Sequence, residues 1–157
     1  MRIIVISDTH THLTNFIKVY TKQPNADVYI HLGDGMNEVQ TMRLTYPNSC
    51  FITVRGNCDF KSTEPEDKLL VLENKRIFLS HGHKYGVKSS YTPFISAAKK
   101  QAADIALFGH THIPYSSYTD GMHILNPGSL EIPRRDNPKF GIVDIINGSI
   151  TAYLADV

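Results

Sequence analysis

The sequence predicts an α/β fold in which two mixed sheets pack face to face and helices cover the outside. In the first third, apolar runs alternate with helical patterns in the order β-α-β-α-β, which calls for parallel strands and right-handed crossovers. The second half favours hairpins, because Asp120-Gly121 and Asn147-Gly148 suit the positive φ values of a type I′ turn. The 157 residues are enough for a single domain over 1–157 with its own core.

The first third is predicted to contain three strands separated by two helices. Each strand is an apolar run that stops at a polar or glycine-containing turn. Apolar residues between Leu13 and Tyr20 recur at helical spacing, and Pro24-Asn25 ends that helix. The predicted elements are strand 1–6, helix 11–23, strand 27–32, a helix from Met36 to the turn at 47–48, and strand 50–54.

The second half is predicted to be rich in antiparallel pairs. Glu73-Asn74-Lys75 separates two apolar runs, as the turn of a hairpin does, and two glycine-turn hairpins end the chain. The polar stretch 61–68 is predicted to be a loop. The predicted strands are 69–72, 76–80, 104–108, 115–119, 122–125, 141–146 and 149–154, with a helix over 90–101.

The composition is typical of a soluble globular protein. Sixteen basic and fifteen acidic residues give a net charge of +1, which argues against a DNA-binding or membrane-binding surface. No apolar run approaches the length of a membrane span, and no signal peptide is visible. Cys50 and Cys58 are too few for a disulfide framework, so we expect a cytoplasmic protein. Whether the chain forms a homo-oligomer is left open.

Histidine, aspartate and asparagine occur in five short clusters, four of which contain glycine, and most of the clusters directly follow an apolar run. In a parallel sheet, ligands bind beyond the carboxyl ends of the strands, where the first three clusters are predicted to lie. Taken singly, Asp8 is also a candidate helix N-cap, while Asp34 and Asn57 are also typical turn residues. The clusters are Asp8-Thr9-His10, Gly33-Asp34, Gly56-Asn57-Cys58-Asp59, His81-Gly82-His83 and Gly109-His110-Thr111-His112.

Together the clusters predict a centre of two divalent metal ions. Seven candidate ligands exceed what one tetrahedral ion needs, and they fit two ions about 3.5–4 Å apart that share a carboxylate. The mixture of oxygen and imidazole donors favours manganese, with iron, zinc or nickel as alternatives, over magnesium or calcium. The candidate ligands are Asp8, His10, Asp34, Asn57, His81, His110 and His112.

These motifs, in this order, resemble those of the calcineurin-like metallophosphoesterase family. The small size, the Gly56-Asn57-Cys58-Asp59 form and the segment Asn126-Pro127-Gly128-Ser129 are most similar to the compact YfcE-type phosphodiesterase branch, which also contains the retromer subunit Vps29. The resemblance implies a four-layer α/β/β/α sandwich. It further implies that Asp34 bridges two ions, one held by Asp8, His10 and His112 and the other by Asn57, His81 and His110.

The function that this resemblance implies is hydrolysis of small phosphodiesters by a water or hydroxide that two metal ions activate. Phosphomonoesterase and nuclease activity are alternatives, although the near-neutral charge argues against long nucleic acids as partners. A non-catalytic interaction scaffold, as Vps29 serves, is a third. A scaffold predicts lost ligands, whereas all seven positions here hold ligand-competent residues.

The candidate catalytic residues are Asn57, His81, Cys58, Asp59 and His83. Many family members carry histidine at the position of Cys58, and that histidine is taken to assist transition-state stabilisation or leaving-group protonation. A thiol is a weak donor, so we expect leaving groups that need little acid assistance, or protonation by another residue such as His83. Asp59, which would orient the histidine, is retained. Alternatively, Cys58 is a small residue that packs under its loop.

Other residues of the same types receive structural or open interpretations. His31 lies within a predicted buried strand and is expected to be a core histidine whose hydrogen bonds are satisfied. The resemblance places the segment 126–129 near the site. Arg134 and Arg135 are either solvated surface residues or close enough to help hold a phosphate.

Overall fold

The computed structural model describes residues 1–135 and 137–157, and within them ten strands and three α-helices alternate along the chain. A single 3₁₀ turn at His83–Tyr85 is the one element that the sequence pattern did not predict. The elements are β1 Arg2–Ile6, α1 Thr14–Lys22, β2 Val28–His31, α2 Met36–Thr45, β3 Phe51–Thr53, β4 Asp67–Leu72, β5 Lys75–Ser80, α3 Thr92–Lys100, β6 Ile105–Phe108, β7 Tyr115–Thr119, β8 Met122–Asn126, β9 Lys139–Ile146 and β10 Ser149–Asp156.

The strands form two five-stranded mixed sheets, as predicted. The first has the order β10-β9-β1-β2-β3, with β1, β2 and β3 parallel and β9 and β10 antiparallel. The second has the order β4-β5-β6-β8-β7, with β5, β6 and β8 parallel and antiparallel strands at both edges. In each sheet the parallel strands point their carboxyl ends toward one edge, where their following loops gather.

Three apolar layers hold four layers of secondary structure together. Along β1, Ile3 and Val5 face the second sheet, while Ile4 and Ile6 face Phe16 of α1 on the outer side. This alternation follows from the two-residue period of a strand, and both faces are apolar because both are buried. On the far side of the second sheet, Phe94 and Ala98 of α3 pack against β5 and β6. The α/β/β/α sandwich is therefore confirmed.

The boundaries differ from the prediction where backbone conformation overrides hydrophobic periodicity. The first helix begins at Thr14 instead of Thr11, because Thr11 has a φ of 72° that no right-handed helix accommodates. The predicted loop over 61–68 was wrong at its end, since β4 already begins at Asp67. In the described part of the chain, no helix combines the length and apolar character that a membrane crossing requires.

Candidate metal centre

The loops that carry the five clusters are joined to one another by backbone hydrogen bonds. The N–H groups of Asp8 and His10 donate to the carbonyls of Gly33 and Asp34, both at 3.0 Å. Within the second sheet, the Gly109 N–H donates to the His81 carbonyl at 3.1 Å. The His110 N–H links the two sheets by donating to Asp8 Oδ2 at 3.1 Å, so the predicted ligands of both sheets meet at one place.

The first group of ligand atoms surrounds a buried carboxylate oxygen. Asp8 Oδ1 lies 3.2 Å from His112 Nε2 and 3.7 Å from His10 Nε2, and the two imidazole nitrogens are 3.1 Å apart. Ser7 and the His110 N–H bind the other oxygen, Oδ2. Asp8 Oδ1 is buried and has no hydrogen-bond partner within the described residues. Since an unpaired buried carboxylate oxygen is unfavourable, this geometry fits a cation.

The second group lies beside the first. His81 Nε2 is 3.4 Å from Asp34 Oδ2, 3.2 Å from Asn57 Oδ1 and 3.2 Å from His110 Nδ1. Ligand atoms of Asp34, His81 and His110 all lie within 4.8 Å of one another, and so do those of Asp34, His10 and Cys58. Asp34 is thus common to two sets of potential ligands, as a bridging carboxylate is.

Hydrogen bonds at the Nδ1 atoms of two imidazoles orient the Nε2 atoms of the same rings toward this centre. His81 Nδ1 lies 2.8 Å from the Leu32 carbonyl, and His112 Nδ1 lies 2.9 Å from the Ile132 carbonyl. A carbonyl only accepts, so both Nδ1 atoms carry the proton, which leaves the lone pair on Nε2. Metal-ligating histidines are oriented in this way, and the residues present therefore fit divalent ions.

The pKa shifts of the site residues without a metal ion favour the binding of a cation. Burial would raise the pKa of Asp34, but His81 and the Cys58 N–H together bring it well below its ordinary value. Burial and the nearby His81 lower the pKa of His110 to about 4. Burial would lower the pKa of His81, but Asp34 and Asp8 raise it overall. A cation that replaces the proton of His81 would therefore release that proton on binding.

Backbone strain is concentrated in the same residues. Positive φ is uncommon outside glycine and costs on the order of 1 kcal/mol per residue. Such strain persists only where surrounding structure enforces it, and it clusters at functional sites. Five of the seven predicted ligands have it: Asp8 (56°), His10 (41°), Asp34 (56°), His110 (67°) and His112 (59°).

Two glycines are required because the carboxylates approach the backbone closely. A Cβ on Gly56 would lie 2.1 Å from Asp34 Oδ1, and one on Gly109 would lie 3.0 Å from Asp8 Oδ2 and 2.0 Å from Ser7 Oγ. Any side chain at either position would displace a predicted ligand. Gly56 and Gly109 thus leave the space that the carboxylates of Asp34 and Asp8 need at the centre.

Asp59 holds the loop that carries Asp34. Its Oδ2 accepts the N–H groups of Asp34 and Gly56 at 2.7 and 2.8 Å, and its Oδ1 accepts those of Gly35 and Met36 at 3.0 Å. Gly35 provides no side-chain cap for α2, so Asp59 caps this helix from a distant loop. The predicted orienting role of Asp59 toward residue 58 is not tested by these contacts and stays a prediction.

Cys58 is exposed at the rim of the centre and does not pack under its loop. Its backbone N–H donates to Asp34 Oδ1 at 2.7 Å, and the Asn57 side-chain amide lies 3.3 Å from its sulfur. Partial burial and the neighbouring Asp34 raise the pKa of the Cys58 thiol to about 11. In the absence of a cation, the group that faces the site is therefore a neutral thiol.

His83 lies next to His81 and belongs to neither of the two groups of ligand atoms. Its ring centroid is 5.4 Å from that of His81, and its Nε2 is 3.4 Å from Glu66 Oε1. Its Nδ1 is buried without a hydrogen-bond partner within the described residues. This placement leaves His83 as a neighbour of a predicted ligand, and its catalytic role stays a prediction.

Several residues that support the site were not singled out as such by the sequence. The Ser129 hydroxyl donates to the Asp8 carbonyl at 2.7 Å, and the Asn126 amide donates to the Gly109 carbonyl at 3.0 Å. The segment 126–129 therefore lies at the site, as the resemblance implied. His31 is buried between Thr9 Oγ1 and the Gly33 N–H, which confirms a core histidine whose hydrogen bonds are satisfied.

A cleft of about 710 Å³ opens beside the centre, between α2 and the loop 58–64. We call it the α2 cleft. His10, Asp34 and Cys58 line the part that belongs to the metal centre, and side chains of α2 continue along it. A smaller cavity of about 260 Å³, which includes Thr111 and Arg134, lies on the side of the loop 109–112.

The fold and this site define a metallophosphoesterase. Residues 1–148 match the calcineurin-like phosphoesterase superfamily domain, and the chain belongs to that family. It is 31% identical to the probable metallophosphoesterase YsnB of Bacillus subtilis, over 99% of this chain and 91% of that protein. It is 30% identical to the phosphodiesterase YfcE of Escherichia coli, over 92% of this chain and 88% of that protein. The predicted branch is therefore confirmed.

Solved structures share the same fold. A predicted phosphoesterase from Streptococcus pneumoniae superposes with a TM-score of 0.77 at 24% identity, covering 98% of this chain and 97% of that chain. Vps29 of Entamoeba histolytica complexed with zinc gives a TM-score of 0.76 at 21% identity, covering 99% of both chains. At these identities the likeness concerns the architecture alone.

Proposed function

We propose that this protein hydrolyses small phosphodiesters with a binuclear metal centre. The observation that carries the proposal is that six predicted ligands gather in overlapping groups beside the unpaired Asp8 Oδ1, and the seventh, Asn57, contacts His81. The similarity to the phosphodiesterase YfcE, at 30% identity, favours diesters over monoesters as substrates. All seven ligand positions hold competent residues, which favours an enzyme over a scaffold.

In this proposal Asp8, His10 and His112 would hold one ion, and Asn57, His81 and His110 would hold the other. Asp34 could serve both, because its ligand atoms lie within 4.8 Å of those of His81 and His110 and also of that of His10. The donors are carboxylate, amide and imidazole, which favours manganese, with iron, zinc or nickel as alternatives. Seven donors are too many for a single tetrahedral ion, which supports two.

Bound ions would supply positive charge for the phosphate oxygens and would lower the pKa of a coordinated water. The chain's own contribution is to hold the donors in place. The carbonyls of Leu32 and Ile132 keep His81 and His112 in the tautomer that binds a cation. Asp59 fixes the loop of Asp34, and the strained backbone orients the other donors before any substrate arrives.

Removal of divalent ions is the direct test. We expect dialysis against EDTA to abolish hydrolysis of bis(4-nitrophenyl) phosphate, and manganese to restore it, because without a cation no water is activated for attack on the phosphorus. Metal analysis of the reloaded protein should give two ions per chain. A control with 4-nitrophenyl phosphate distinguishes diester from monoester preference. Full activity of the metal-free protein would contradict the proposal.

We further propose that Cys58 limits this enzyme to good leaving groups. A histidine at this position would protonate a departing alkoxide, an effect worth on the order of 100-fold for a poor leaving group. Cys58→His should therefore accelerate esters of weakly acidic alcohols more than 4-nitrophenyl esters. The measurement is kcat/KM across leaving groups of graded pKa, with metal content determined in parallel. An unchanged dependence on leaving-group pKa would show that Cys58 has no such role.

We also propose a domain organisation and a cellular compartment for this protein. We propose that residues 1–157 act as one domain, which the continuous apolar layer between the two sheets supports. A reducing cytoplasm is supported by the two free, exposed cysteines.

A further inference from the structure

The α2 cleft is larger than a phosphate needs. Its volume of about 710 Å³ lies within the range of roughly 300–1,000 Å³ that is usual for small-molecule sites. Beyond the metal centre it follows α2 past Asn37, Gln40 and Arg43, which stand at three-residue intervals on one face of the helix. From Asn37 to Arg43 this face runs about 9 Å along the helix axis. One substituent of the diester therefore has room to extend along it.

An aromatic ring stands in the opposite wall of the cleft without a partner in the core. Phe60 is 88% exposed, more than any other large hydrophobic side chain of the described residues. Its loop is held by Asp59, the residue that fixes Asp34, so the ring is attached directly to the site. A phenyl ring in a polar cleft offers a face on which a flat, aromatic group can stack.

The polar groups of the cleft fit an uncharged, hydrogen-bonding occupant. The exposed amides of Asn37 and Gln40 both donate and accept, as the edge of a nucleobase requires. The cations of the cleft, Arg43 and Lys61, are balanced by Glu38 and Glu64, and Arg43 lies 3.5 Å from Glu64. With no excess of positive charge, this wall does not favour a polyphosphate or a polynucleotide.

We propose that the substrate is a nucleotidyl diester, whose nucleoside lies in the α2 cleft with its base stacked on Phe60. Asn37 and Gln40 would meet the edge of the base. This assignment rests on the proposed phosphodiesterase activity. It makes Phe60 a specificity-determining residue that touches substrate away from the reacting atoms.

Two esters with the same leaving group test this assignment. Thymidine 5′-(4-nitrophenyl) phosphate and ethyl 4-nitrophenyl phosphate both release 4-nitrophenolate and differ only in the other substituent. The manganese-loaded protein should favour the nucleoside ester by about tenfold or more in kcat/KM. Phe60→Ala should remove about tenfold of that preference, mainly through KM, because stacking stabilises ground and transition states alike.

Further variants separate stacking from apolar contact and from general damage. Phe60→Trp keeps a ring and should keep the preference, whereas Phe60→Leu keeps only apolar bulk and should lose it. Tyr118→Ala removes a comparably exposed aromatic residue from β7, outside the cleft, and should leave the preference as in the parent. A preference near one in the parent, or one retained by Phe60→Leu or Phe60→Ala, overturns the nucleoside assignment.

Binding can be measured without turnover. The chain has no tryptophan, so Phe60→Trp introduces a single tryptophan in the cleft, which can be excited selectively over the eight tyrosines. Its fluorescence should be quenched by thymidine 5′-monophosphate and not by ethyl phosphate. If neither ester is hydrolysed by the parent, the proposed function fails, while quenching still decides whether a nucleoside occupies the cleft. Absent quenching together with good hydrolysis refutes the nucleoside assignment alone.

Discussion

Asp34→Asn is expected to abolish turnover and to reduce metal loading from two ions per chain to one or none. The substitution keeps the shape of the side chain, and its carbonyl oxygen can still accept the Cys58 N–H that Asp34 Oδ1 accepts at 2.7 Å. It removes the negative charge that lies 3.4 Å from His81 Nε2 and is common to two sets of donors. An amide presents one oxygen, so it cannot bridge two cations as a carboxylate does.

Metal analysis, kinetics and thermal unfolding together test this expectation. Manganese at 100 times its dissociation constant should stabilise the parent by about 2.7 kcal/mol, and most of that gain should be lost in Asp34→Asn. Without metal, Asp34→Asn should unfold at a lower temperature than the parent, because the lowered pKa of Asp34 means that its charged form stabilises the folded state. Asp120→Asn, which changes an exposed carboxylate paired with Lys99, is the matched control and should behave as the parent. Retention of two ions by Asp34→Asn would rule out the bridge.

The fold was predictable because each strand carries its own pattern. β1 is apolar on both faces, and the turns at Asp120-Gly121 and Asn147-Gly148 specify two hairpins through their φ preferences. The start of α1 was not predictable, since hydrophobic spacing continues through residues whose backbone φ is positive. That conformation follows from contacts with the second cluster, which lies more than twenty residues away along the chain.

The location of the site was predictable, and much of its support was not. The convergence of the candidate ligands could be predicted because each cluster follows a strand, and parallel strands bring their carboxyl ends to one edge. The partners of Asp8 come instead from Ser7, the His110 backbone and Ser129, whose contacts depend on how the two sheets pack. No local signal separates Ser129 from an ordinary loop serine, whereas Gly56 and Gly109, where the backbone approaches Asp34 and Asp8, lie within the clusters themselves.

The strained ligands and the network around Asp59 have a common explanation. Left-handed backbone at Asp8, Asp34 and His110 is unfavourable locally, so other contacts must enforce it. At Asp34 the enforcing contacts are visible, because the Asp59 carboxylate binds the N–H groups of Asp34 and of the residue after it. The same carboxylate binds Gly56, which a larger residue could not replace without displacing Asp34. Asp59 therefore positions Asp34, a predicted ligand, although it is not itself one of the seven predicted ligands.

Asp59→Ala is accordingly expected to weaken both the fold and the metal centre. It removes the acceptor of four backbone N–H groups, including two at the start of α2, and should lower the free energy of unfolding by about 3 kcal/mol. Because Asp34 then loses its fixed position, metal affinity should fall by about 10- to 100-fold, as it does when a partner behind a ligand is removed. Urea unfolding in EDTA measures the first effect, and calorimetric titration with manganese measures the second.

Asp59→Asn distinguishes this capping role from simple packing. The amide has the same size, but it turns an NH₂ group toward two of the four donors, so it should lose most of the stabilisation that the alanine variant loses. Asp156→Ala, which removes an exposed carboxylate paired with Lys139, should change the stability by no more than about 1 kcal/mol. If Asp59→Asn unfolds and binds manganese as the parent does, shape alone is sufficient at this position. Loss in both variants would establish that the Asp59 carboxylate sets the geometry of Asp34, the predicted bridging ligand.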